Sequence, residues 1–377
     1  MPLHIDAVEE VIRDVIGPAA DGVDRSGGFP QAGVEALGRA GLLGLLSAKE
    51  VGGPGEELRA AAEVVERLAG ACGSTAMVTL MHYAAVPAIE ALGARDLRES
   101  IARGQHLTTL AFSEAGSRSH FWAPMSTATR VADGVRLDAR KSWVTSAANA
   151  HSYVWSSRPL EADGPMTLWS VPTSVTGLAR RGEFDGLGLR GNGSIPVDAV
   201  GVVVPEAAML GEDGKGLELA MTLVLPTFLV LSAAASVGIM DAATVEAAHH
   251  LRTARYEHLD RSLAEGTVAR LDFARMKLAT DREHALLSDT LSALESQRAD
   301  AMLRVLESKA SAAEAAIAVT DLGMKVCGGA AFRKELGMER RFHDARAARV
   351  MAPTTDALLD FVGRSLLGLP LVDEAVP

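Results

Sequence analysis

At 377 residues, 48% hydrophobic and 23% charged, the chain is long enough for two or three domains with a large buried core. Its net charge of -11 and pI near 5.4 argue against a nucleic-acid surface, because binding phosphate backbones needs clustered Lys and Arg. Two cysteines, Cys72 and Cys327, stand in apolar Gly/Ala-rich settings without CxxC or Cys/His spacing; they read as buried free thiols in a reducing cytoplasm rather than as metal ligands.

The first residues, "MPLHIDAVEEVIRDVIG", are amphipathic and acidic, without the basic and apolar segments of a signal peptide. Residues 1–105 keep helical periodicity, broken at "GPAADG", "GG" and "VGGPGEE", and predict a helical domain. Over 106–212 the pattern changes to short β-rich runs such as "HLTTLAFSE", "SYVWSSRP" and "AVGVVVP" between Gly, Asp and Pro turns. Within them "ADGVRLDARKSWVT" predicts a hairpin turning at Asp133 and Gly134. Residues 213–377 are rich in Ala, Leu, Glu and Arg and predict a four-helix bundle. The apolar run at 220–240 has the length of a membrane span. It contains Pro226 and lies close to Glu218 and Asp241, so a buried core helix is expected and no membrane span. The class is therefore α+β: an N-terminal helical domain, a central β-sheet or barrel domain and a C-terminal helical bundle.

Four stretches in order, "GLLGLLSAKEVGGPG" with "CGSTAMVTLMHYAAVPAIEALG", "LAFSEAGSRSH", "LDARKSWVTSAANAH" and "KVCGGAAFRKELGMERRFHDARAARV", resemble the acyl-CoA dehydrogenase superfamily over nearly the whole chain. The resemblance implies this three-part fold, FAD as cofactor and a homodimer or homotetramer. It implies that Trp143 and Thr145 pack beside the isoalloxazine ring, with Ser113 near the flavin and Ser119 near the ligand. A flat apolar wall with donors aimed at the ring is what flavin chemistry needs. Arg255 corresponds to an Arg that holds the FAD diphosphate across a subunit interface, and its fork of donors suits a phosphate. Gly328 and Gly329 would let backbone approach the cofactor, and Thr354, Thr355 and Asp356 would touch the flavin from the last loop. Glu114 matches a structural loop Glu, His120 replaces an Asp, His343 is expected at a subunit contact or against another structural partner, and Asp344 with Arg346 is expected to form an ion pair.

One position breaks the pattern. Removing the α-proton of a thioester needs a base, which the family supplies as a Glu two residues before its paired Thr/Ser; here that place is Ala352. The family's alternative location, on the helix opening the C-terminal domain, corresponds to Phe228. An Asp and an Arg that contact CoA there become Pro226 and Leu229. His82, on a helix expected to line the substrate cavity, is the candidate base because histidine titrates near neutral pH. The expectation is a non-standard dehydrogenase of an acyl thioester, carrier-protein-bound or CoA, that passes electrons to an acceptor flavoprotein. The alternative is a flavin monooxygenase of the N-hydroxylase type with a reductase partner, and a third reading is a non-catalytic flavin-binding protein.

Overall fold

The structure is a computed structural model that describes residues 2–117 and 120–370. It begins with six helices: α1 Leu3–Val11, α2 Gly17–Ser26, α3 Gln31–Arg39, α4 Leu58–Ala71, α5 Gly73–Leu92 and α6 Arg95–Ala102. Helix α5 is apolar on every side and buried along nearly its whole length, as a helix without a polar face must be.

Eight strands follow: β1 Thr108–Ala111, β2 Thr127–Val131, β3 Gly134–Val144, β4 Ser152–Ser157, β5 Thr167–Pro172, β6 Leu178–Arg180, β7 Ile195–Val204 and β8 Met209–Leu210. They form two four-stranded sheets, ordered β1-β4-β5-β8 and β2-β3-β7-β6, in which only the β1–β4 pair is parallel. Their inner faces share one core, with Val135, Tyr153, Trp155, Trp169, Val197 and Val202 at its centre. The β2–β3 hairpin turns one residue earlier than the Asp-Gly pair suggests: Val131 pairs with Gly134, leaving Ala132 and Asp133 as the turn. Gly134 is needed inside the strand instead, where a Cβ would lie 2.3 Å from the Val204 carbonyl oxygen.

The chain then returns to helices: α7 Gly216–Leu219, α8 Leu225–Thr253, α9 Thr267–Glu295, α10 Ala301–Cys327, α11 Met338–Asp344, α12 Ala347–Val350 and α13 Thr355–Leu366, with a small ribbon, β9 Arg255–Tyr256 and β10 Arg261–Ser262, after α8. Helix α8 runs through the middle of the molecule, against α4 and α5 on one side and α9 and α10 on the other. The helix spanning 216–253 is long and apolar enough to cross a membrane, but 89% of its most apolar window is buried inside the fold. It is a core helix. Pro226 stands just after a π-helical turn at Ala220–Val224, an interruption of the regular hydrogen-bond ladder of the kind that accommodates a missing N–H. Cys72 and Cys327 are buried and unpaired.

Candidate active site

A cavity of about 730 Å³ lies where the sheets meet the C-terminal helices. Leu110, Phe112 and Ser113 enter it from the end of β1, Trp143 and Thr145 from the end of β3, and Asn192 and Ser194 from the loop before β7. Val224, Leu225 and Phe228 close it from the start of α8, and His343, Arg346, Ala347, Val350, Met351, Ala352 and Pro353 form the wall opposite.

Trp143 is the most telling of these residues. The β3–β7 register slips between Lys141 and Val144, and this irregularity turns Trp143 out of the sheet. Its backbone is left-handed at φ 57 and its side chain is 70% exposed. A large indole held in a strained conformation against an open cavity needs a flat partner to cover it, as strain stored at a ligand site often does. Beside it the Thr145 hydroxyl is buried, 2.9 Å from the Ser194 hydroxyl.

Behind Ser113 the site rests on a buried ion pair. Lys141 Nζ donates to Glu114 Oε1 at 2.6 Å and to the Ser156 carbonyl at 2.7 Å. Glu114 also accepts from the Met125 and Ser126 amides and from the Ser126 hydroxyl. Burial pushes the Glu114 carboxyl up, but the ammonium and the hydrogen bonds outweigh this and hold it below the usual carboxylate range. Both oxygens are occupied, so Glu114 borders the cavity as scaffold.

The opposite wall is anchored by two buried groups. Asp344 accepts the Leu189 amide at 2.6 Å and thereby fixes Leu189, itself left-handed at φ 51, in the cavity-lining loop. Burial raises the Asp344 carboxyl to about 6. The expected Asp344–Arg346 pair is not formed: Arg346 turns away to Asp321 and the Thr320 hydroxyl. The second group is Lys309 on α10. Fully buried, it donates to the carbonyls of Ala348 at 3.0 Å, Met351 at 3.0 Å and Pro353 at 2.7 Å. It was missed in the sequence, although it falls on the apolar stripe of Val305, Leu306, Ala312, Ala313 and Ala316.

The structure corrects the expected base. Both nitrogens of the fully buried His82 are occupied: Nδ1 accepts the Thr108 amide at 3.1 Å, so Nε2 donates to the Leu43 carbonyl at 2.9 Å. Burial pushes its pKa down to about 4, and the ring is absent from the cavity wall, to which its neighbour Met81 contributes. Leu229 is likewise completely buried behind the lining, whereas Phe228 reaches it. His343, expected at a subunit contact or against another structural partner, lines the cavity, with Nδ1 3.4 Å from Glu339. Thr354 caps α13, Thr355 is buried and Asp356 is exposed, and none of the three lines the cavity. Arg255 is exposed and paired with Asp260 at 2.6 Å; Gly328 and Gly329 form an exposed turn with open space around both. Ser119 lies outside the described residues.

Residues 3–104 match the acyl-CoA dehydrogenase N-terminal domain and residues 214–367 the acyl-CoA dehydrogenase C-terminal domain. The chain belongs to the acyl-CoA dehydrogenase superfamily. It is 26% identical over 347 residues to human mitochondrial short-chain specific acyl-CoA dehydrogenase, covering 90% of this chain and 83% of the relative. Butyryl-CoA dehydrogenase of Megasphaera elsdenii superposes with a TM-score of 0.91 at 19% identity, over 97% and 98% of the two chains. The prolyl acyl carrier protein oxidase AnaB superposes at 0.87 with 18% identity, over 98% and 100%. This superfamily member is an FAD-dependent oxidoreductase, and the exposed Trp143 wall, the neighbouring Thr145 hydroxyl and the apolar cavity fit a flavin ring.

Proposed function

We propose that the protein dehydrogenates an acyl thioester without a carboxylate at position 352. The observation that carries this reading is a large, mostly apolar cavity bounded by Trp143 and Thr145 on one side and Ala352 on the other. Bound FAD supplies the hydride acceptor. Trp143 would pack against the ring and Thr145 would offer it a hydroxyl, while Phe112, Val224, Phe228 and Met351 would shield the acyl chain from solvent. The α-proton leaves the thioester while the β-hydrogen departs with its electron pair, which creates the Cα–Cβ double bond.

Among the described lining residues, the groups that could take that proton are Glu114, which is fully hydrogen-bonded, and His343. Glu114 is held by its partners, whereas His343 lines the same cavity as Ala352. His343 is therefore the described lining group to which this reading gives the α-proton. Pro226 and Leu229 are buried and apolar at the family's CoA-contacting positions, which favours a carrier-protein thioester. Arg255 and the Gly328–Gly329 turn, remote from the cavity, are assigned to FAD contacts made from a second copy in a homo-oligomer. An electron-accepting flavoprotein serves as redox partner, and the two free cysteines favour a cytoplasmic setting.

The test is product analysis under argon with an artificial electron acceptor. A thioester that loses two hydrogens supports the proposal. The lack of a carboxylate at position 352 supports a second reading, oxygen-dependent hydroxylation, since that reaction removes no α-proton. Oxygen consumption that depends on an added flavin reductase, with no desaturated product, would select it.

A further inference from the structure

Lys309 holds a charge that the described residues do not neutralise. Its three N–H donors meet three backbone carbonyls, and no Asp or Glu among the described residues comes within ion-pair distance. A buried ammonium without a counter-ion is costly, and burial pushes its pKa down to about 7. If holding the 348–353 turn were its only task, a neutral donor would do it at lower cost.

The location suggests a second task. Two of the acceptors, Met351 and Pro353, flank Ala352, and all three residues form cavity wall. The Nζ atom is thus one peptide layer behind the surface that faces Trp143. With Ala at 352, no anion stands between the ammonium and the cavity.

We infer that Lys309 acts as a positioning and electrostatic residue that favours negative charge on the bound, reduced flavin. The positive charge of protonated Lys309 in a dry wall stabilises an anion strongly, and an anionic flavin in turn favours the protonated lysine, because little solvent is present to screen either. The inference rests on FAD binding and not on the identity of the substrate, so it stands or falls separately from the thioester reading.

The experiment is spectroelectrochemistry of the FAD-loaded protein at neutral pH, compared with Lys309→Met and with Lys309→Gln, which keeps an N–H donor for the turn but no charge. Both variants should reduce with an equilibrium at least tenfold less favourable, about 30 mV for a two-electron couple. Unchanged potentials in a folded, FAD-binding variant would overturn the inference and leave Lys309 as a loop clamp. A second reading is the pH at which the reduced flavin passes from its neutral to its anionic spectrum, which should lie lower in the unmodified protein than in either variant. The same transition pH in all three would contradict the proposal.

Discussion

Ala352 lines the cavity at the position where the resemblance to the superfamily implies a carboxylate, and the consequence can be tested by introducing one. Ala352→Glu should fold, because the residue borders open space. It should raise the rate of thioester oxidation by about 10²-fold, the lower range for a positioned general base. An unchanged rate in a variant that retains FAD would mean that position 352 does not face the reacting carbon. His82 makes the opposite prediction. Its folded pKa, about 4, lies below the ordinary value near 6.5. The neutral ring therefore contributes stability that is present above pH ~6.5 and lost as pH falls through about 4. His82→Gln should cost about 1–3 kcal/mol in urea unfolding by leaving a buried partner unmet, and should flatten this acid dependence. Flavin reduction by substrate should change less than about twofold, since the ring does not border the cavity. A collapse of the reduction rate in folded protein would return His82 to the chemistry.

At the scale of elements, the site is fixed by contacts between segments distant in sequence. Lys141 on β3 holds Glu114 after β1, and Asp344 on α11 holds the 189 loop. Lys141→Met strands the Glu114 carboxylate in a buried setting and should destabilise the protein by about 3–5 kcal/mol, measured by chemical denaturation. A loss below about 1 kcal/mol would show that the pair is dispensable. The cavity-lining positions Ser113, Trp143, Thr145, Phe228 and Ala352 were legible because each falls inside a motif of the sequence or keeps a fixed spacing from one. The faces of α5 were not: the helix is apolar all round, so periodicity cannot distinguish the side carrying Met81, which reaches the cavity, from that of His82. The partner of Asp344 was misread for a related reason. Arg346 is adjacent in sequence, but burial and the Leu189 amide decide where the carboxylate goes.

For the whole molecule, the order helical, β, helical could be read from periodicity and turn residues, and the shared superfamily explains why the motifs recur in order. What the linear chain hides is which buried charges face one another once α10 passes beneath the 348–353 turn, and Lys309 is the case in point. The most direct measurement mixes the FAD-bound protein anaerobically with acyl-CoA and acyl-carrier-protein thioesters and follows the visible flavin band. The account predicts bleaching by a thioester, faster for the carrier-bound form, without any added reductant. A flavin that stays oxidised with every thioester, and forms an oxygen adduct when chemically reduced protein meets air, would contradict it.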